Sequence, residues 1–261
     1  MKRLVKVWFL LAKNAAQEQL VSSIAGIIFI VGKVLRFSFL VIFLFSVLSQ
    51  SETLAGYSRE QVILFFLVFN IVDVVTQFLF RGAYHFRPLI TSGDYDMVLL
   101  KPLPSFFRPI FGYTDFLDLI TLIPLWFFFI WYVFAHQLFA SFGHLVLSLL
   151  LLLNSFILGF SFHLIVCGVG IMTTEVDHLL WIYRDVTSMA RFPTDIYREV
   201  VKWLLTFTIP VVILFTVPTK MLMGLLSWPW VALSFVISGL FLWGSLKFWR
   251  YALTHYSSAS S

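Results

Sequence analysis

Three acids interrupt otherwise apolar sequence and are the first places to look for chemistry. Asp73 sits within VILFFLVFNIVDVVTQFLF, and Asp115 and Asp118 fall at the start of the next apolar run. A charge at the centre of a bilayer costs about 2.5 to 3.5 kcal/mol on insertion scales, so an acid that persists at that depth is a functional candidate by default. Asp115 and Asp118 are three apart, which places both on one face if the segment is helical. They could form a proton relay, or they could lie at headgroup depth and pair with Arg108 or Arg81. Asp73 has no partner visible in the sequence, which makes it the better candidate for lining a polar path. His163 has no second His or acid at i+3 or i+4 and reads as a hydrogen-bonded helix contact, so no metal site is expected.

Positioning these acids requires a membrane-embedded scaffold. The chain has 261 residues, of which 60% are hydrophobic and only 12% charged, and its mean hydropathy is +0.94. That is the composition of an integral membrane protein, and apolar runs near the length of a span recur along it. The net charge of +5 does not point to nucleic acid, because Lys and Arg gather at the ends of apolar runs, where they set topology. The single cysteine, Cys167, excludes a disulfide framework or a cysteine-based metal site.

The fold expected is an all-α membrane protein with six transmembrane helices. Residues 1–25 read as an amphipathic helix lying in the cytoplasmic leaflet, with Val5, Trp8, Phe9, Ala12 and Ala16 on one face and Lys2, Lys6, Lys13 and Gln17 on another. The same segment could instead extend the first span. Spans follow at Gly32 to Leu48, with Lys33 and Arg36 snorkelling to the headgroups, at Gln61 to Phe80, at Ile110 to Phe134 with a kink at Pro124, at Leu145 to Gly168, and at Trp230 to Phe248. The polar segment 81–108 carries Arg81, Arg87, Lys101 and Arg108, whereas 49–58 and 135–143 contain no Lys or Arg. The island is therefore cytoplasmic, both termini are inside, and the number of crossings is even. One more crossing must lie between Gly168 and Trp230. Hydropathy favours Leu204 to Met223 over the more polar Ile171 to Ala190.

Within the island, Thr91-Ser-Gly-Asp94 has capping-box spacing, and Tyr95 to Leu100 can form a short helix ended by Pro102. Two turns of helix are marginal alone, so something must hold them: a cytoplasmic partner, or the loop's own helix ends.

The run Gly93-Asp-Tyr-Asp-Met-Val-Leu-Leu-Lys-Pro-Leu103 resembles the G-x-x-D-x-x-L-L-x-P-L signature between the second and third spans of type 2 ABC transporter permeases. The stretch from Arg191 to Pro210, with Pro218 and Gly224 beyond it, is similar to the proline-punctuated segment before the last span of that class. The resemblance implies that Gly93, Asp94, Asp96, Val98, Leu99, Leu100, Lys101 and Pro102 couple the chain to a separate ABC ATPase subunit, with Asp94 to Leu100 as the coupling helix. It implies a second permease chain, identical or similar, enclosing an export path to which Asp73, Asp115 and Asp118 are candidates. It also implies an inner (plasma) membrane location, and residues 193–224 dipping in from the outer side, which makes Ile171 to Ala190 the fifth span.

No G-x-x-x-x-G-K-[ST] loop occurs, so ATP and Mg are expected in the partner and no cofactor in this chain. The absence of a G-x-S-x-G elbow or an H-E-x-x-H motif counts against a membrane hydrolase. The rival readings are a proton-coupled secondary transporter using the three acids, for which no inverted repeat is visible, and a membrane enzyme or scaffold.

Overall fold

The computed structural model describes residues 2–21, 23–49 and 53–257. Helix α1 (Lys2–Val21) precedes the long apolar α2 (Ser23–Ser49), which contains the first expected span. The side chain of Arg36 lies outside the described residues. A hairpin of β1 (Thr53–Leu54) and β2 (Tyr57–Ser58) turns through Ala55 and Gly56, both left-handed as a two-residue hairpin loop requires. Its last residue starts α3 (Arg59–Phe80) through a capping box, the Ser58 hydroxyl accepting from Gln61 N and the Gln61 side chain accepting from Ser58 N.

The island is a chain of short pieces: a 3-10 turn (Arg81–His85), α4 (Phe86–Thr91), α5 (Asp94–Leu99) and α6 (Phe107–Phe111). Beyond it run α7 (Leu117–Ala135), α8 (Phe142–Thr173), α9 (Val176–Ser188) and 3-10 turns at Met189–Arg191 and Thr194–Ile196. Then come α10 (Glu199–Phe207), a π-helical turn (Val212–Thr216), α11 (Val217–Leu222) and α12 (Trp228–Thr254).

Among the described residues, four helical stretches are long and apolar enough to cross a membrane: Arg59–Thr91, Leu117–Ala135, Phe142–Thr173 and Trp228–Thr254. A fifth is reached if Glu199–Phe207 and Val212–Leu222, bent by 82° at their junction, count as one.

Two expectations need correction. The third span begins at Leu117 rather than Ile110, because Gly112 closes the short α6 and an irregular link through Asp115 separates it from α7. α1 packs by Leu4, Trp8, Leu11, Ala12, Ala15, Ala16 and Gln19, and of the apolar face expected for it Val5 and Phe9 are exposed. Gln19 fixes that rotation: its amide donates to the Tyr113 hydroxyl and the Thr114 carbonyl and accepts from Phe116 N. Ile171 to Ala190 is not one helix, because Thr174, in the left-handed conformation, ends α8 and a 13-residue amphipathic α9 follows.

Contacts fix the direction of the elements. Asn154 of α8 donates to Ser238 and to the Ser234 carbonyl, while Gly168 lies against Phe248 and Ala252, so α8 and α12 run parallel. The chain between them must return along the bundle. It starts beside the island, where Asp177 pairs with Arg87, and reaches the hairpin end, where Asp195 accepts from the Tyr57 hydroxyl. From there α10 leads into the bend at Thr208–Val211, and the π turn and α11 lead back. Both arms return to one acid: Lys202 and Lys220 each lie 2.7 Å from Asp195.

Residues 211–219 are buried without exception, so the apolarity that hydropathy registers in this arm faces protein. Pro218 has no N–H to give the preceding turn, and the Ser155 hydroxyl of α8 donates to the Leu214 carbonyl at 2.7 Å. One heptad earlier on α8, Ser148 donates to the Pro218 carbonyl at 2.9 Å.

Candidate functional site

Asp73 lies on a face of α3 shared with Phe69, Asn70 and Gln77, positions three to four residues from it. This face, with Lys33, Val34 and Ser38 of α2, the Asp118 to Phe128 side of α7, and Arg191, encloses a cavity of about 360 Å³. Asp73 and Asp118, 45 positions apart in the sequence, share this one cavity.

Each acid has a defined environment. Asp73 accepts a hydrogen bond from the Gln77 amide at 2.8 Å, and the Gln77 carbonyl accepts from Arg184 at 3.3 Å. One partner not visible in the sequence is thus a helical turn away, an amide backed by an arginine from α9. Asp118 is almost wholly buried and ion-pairs through Oδ1 with Lys33 of α2, while its Oδ2 has no hydrogen-bond partner among the described residues. Lys33 therefore points into the bundle rather than snorkelling to the headgroups.

Asp115 is not among the residues that line this cavity, although its carbonyl accepts from Asp118 N. It lies in the irregular link rather than on α7, 3.6 Å from Arg81, and accepts from Leu117 N. Of the two cations expected to pair with the acids, Arg81 serves Asp115 and Arg108 is exposed. His163 donates from Nδ1 to the Gly159 carbonyl one turn earlier on its own helix, at 2.8 Å. Among the described residues, no cluster of three or more His, Cys, Asp or Glu could hold a metal ion.

At the island, α5 is clamped to the end of α12. Tyr95 is fully buried, its ring edge-on to Phe86 and Tyr256, and its hydroxyl donates to the Ser105 carbonyl. Trp249 donates to the Ser105 hydroxyl, and the Tyr256 hydroxyl donates to Asp96 at 2.8 Å. Burial and that bond to a carboxylate push the Tyr256 hydroxyl up to about 12.

The capping box expected at Thr91 does not form. Thr91 bonds back to the carbonyls of its own helix, Ser92 bonds to Asp94, and Gly93 begins α5 in the left-handed conformation (φ 80°) that a side chain would strain. Val98 faces inward with Tyr95. Met97 and Leu100 face outward at 64% and 79% exposure, with Leu99 at the edge at 39%. Lys101 and Pro102 are exposed beside them.

The opposite end carries a cluster that no local motif announced. Asp195 holds three donors, Lys202, Lys220 and the Tyr57 hydroxyl. Burial pushes its carboxyl up, but the three hydrogen bonds outweigh burial and hold it at about 2. Next to it the hydroxyls of Thr194 and Thr216, both buried, bond to each other at 3.0 Å.

Comparison with curated proteins and with solved structures finds no match. The model of one family, described as ABC-2 family transporter protein, matches residues 34–260. That match runs from α2, through the island and the bent segment, to the end of α12. The chain therefore belongs to the ABC-2 transporter family, as a membrane-embedded permease component of an ABC transporter.

Proposed function

We propose that this chain is the translocating subunit of an ATP-driven exporter in the inner (plasma) membrane, paired with an identical or similar permease chain and with two separate ATPase subunits. The observation that carries this is the form of α5. A six-residue helix cannot hold itself together, yet here it is anchored from behind by Tyr95 and Val98 and presents Met97 and Leu100 to solvent. An apolar surface built outward on a rigid mount suits a helix that docks into another protein. ATP binding would draw the ATPases together, push on α5, and through Tyr95, Trp249 and Tyr256 tilt α12 between inward-open and outward-open states.

This reading has six crossings with both termini cytoplasmic. The fifth is the path through α9 and its following turns, and residues 193–224 form a re-entrant element on the outer side. The parallel course of α8 and α12 and the shared grip of Lys202 and Lys220 on Asp195 support it. In the same reading α1 lies in the cytoplasmic leaflet, with exposed Val5 and Phe9 toward lipid.

Leu100→Asp places a charge on the docking surface without touching the core. A tagged parent chain is expected to co-purify with an ATPase carrying a G-x-x-x-x-G-K-[ST] loop, and the variant to insert normally but lose that partner. Undiminished recovery of the ATPase with the variant defeats the docking role. The cavity sustains one rival, proton-coupled transport through Asp73 and Asp118; transport driven by a pH gradient with no ATPase present would establish it instead.

A further inference from the structure

The cavity beside Asp73 and Asp118 is unbalanced in its hydrogen bonding. Asp118 Oδ2 is buried and lacks a donor among the described residues. Two residues along α7, Ile120 lines the same cavity, and Pro124, one turn further on, withholds the N–H that the Ile120 carbonyl would otherwise accept. Two neighbouring donors are engaged, Lys33 on Asp118 Oδ1 and the Gln77 amide on Asp73. Asp118 Oδ2 and, through the proline's missing N–H, the Ile120 carbonyl are therefore acceptors in want of a donor, and a buried one is costly to leave so.

The rest of the lining is not acidic. Lys33 and Arg191 balance Asp73 and Asp118 in formal charge, and Arg191 lies with its guanidinium 5.6 Å from the centre of the Phe69 ring. From Asp118 to Phe128 the cavity follows α7 for roughly 15 Å at the helical rise of 1.5 Å per residue. Its far part is apolar, and Ile120 and Phe128 are themselves exposed at its edge.

We propose that this cavity binds the headgroup and first chain carbons of a zwitterionic amphiphile bearing a primary ammonium. The ammonium donates to Asp118 Oδ2 and the Ile120 carbonyl, the adjoining anionic group faces Arg191, and the chain lies along Pro124 and Phe128 with its remainder leaving past the exposed edge. A volume of about 360 Å³ takes a headgroup and short chain but not a whole two-chain lipid. For transport the inference rests on the permease reading; for binding it stands alone.

The test uses the full chain, delipidated in detergent and titrated with single-chain ethanolamine, choline and glycerol phospholipids, with bound molecules counted by native mass spectrometry. One ethanolamine lipid per chain is expected, bound about tenfold more tightly than the choline form, which has no N–H to donate. Asp118→Asn should remove most of that preference. Ser38→Trp, which fills the cavity from an exposed position of α2, should abolish binding while leaving the chain folded. Equal binding of ethanolamine and choline lipids, or undiminished binding by Ser38→Trp, overturns the proposal. Recovery of the ATPase is scored on the same samples. Selective ethanolamine binding by a chain that recovers no ATPase keeps the site and removes the transport reading; ATPase recovery with no headgroup selectivity does the reverse.

Discussion

The two ends of the bundle are closed by opposite means. At the island end, short helices are held by aromatic packing, with Phe86, Tyr95, Trp249 and Tyr256 meeting in one apolar cluster and few polar atoms to satisfy. At the hairpin end, the bent segment is gripped by Asp195, Lys202, Lys220 and Tyr57, by a threonine pair, and by two serines of α8. Aromatic packing transmits a push because it does not give. A charge cluster has discrete partners that can be exchanged. The arrangement suits a rigid lever at the island end, where the ATPase is proposed to dock, and a releasable latch at the other.

The sharpest break of this comparison is all-or-none, because it asks whether the two ends lie on opposite sides of the membrane. Cys167 is the only cysteine and can be replaced by Ala. Arg198 is exposed, as is His136 in the loop after α7. Arg198→Cys is expected to react with a membrane-impermeant thiol reagent on intact cells, as His136→Cys does, while Lys101→Cys reacts only after permeabilisation. If Arg198→Cys behaves like Lys101→Cys, the segment from Leu204 crosses once and the latch is misplaced.

The next contrast is within α5. Tyr95→Ala empties a fully buried aromatic site and should cost about 3 to 5 kcal/mol, seen as a lower unfolding temperature in detergent. Leu100→Ala removes an exposed side chain and should leave that temperature unchanged. Equal losses would mean that α5 is not mounted from behind, and the lever would lose its basis.

At the latch the expected effect is smaller and depends on pH. The folded pKa of Asp195, about 2, lies below its unfolded value near 4. Its contribution, about 2 kcal/mol, is therefore complete above about pH 4 and is lost as pH falls toward 2. Asp195→Asn should lower the unfolding temperature at neutral pH and remove this acid sensitivity.

The sequence displayed the island far better than the latch, for physical reasons. Arg81, Arg87, Lys101 and Arg108 stand out against apolar neighbours, and Gly93 and Pro102 bracket a helix of the length observed. The latch is distributed: Tyr57 and Asp195 are 138 positions apart, and nothing about either residue alone shows that they meet. The cavity was half legible. Asp73 and Asp118 stood out as acids in apolar runs, but Lys33 had a snorkelling explanation that consumed its charge. Only its ion pair with Asp118 of α7 reveals that it points inward. Boundaries failed where local chemistry overrode hydropathy, at Gly112 before α7 and at Thr174 after α8.

The smallest effect tests how the latch's inner arm is held at depth. Pro218 deprives the preceding turn of a donor, and the Ser155 hydroxyl, which also bonds to the Leu151 carbonyl of its own helix, reaches Leu214 at 2.7 Å. Side-chain hydrogen bonds between membrane helices average about 0.6 kcal/mol and reach about 1.7. Ser155→Ala should cost an amount in that range, because the Leu214 carbonyl has no water to turn to. A second change separates this bond from general packing. If the serine serves the proline's missing donor, Pro218→Ala restores an N–H to that turn, and Ser155→Ala should then cost measurably less than in the parent chain. A double-mutant cycle read by unfolding temperature gives that coupling directly. Strict additivity would mean that Ser155 merely fills space between α8 and the bent segment, and that the arm is held by its burial alone.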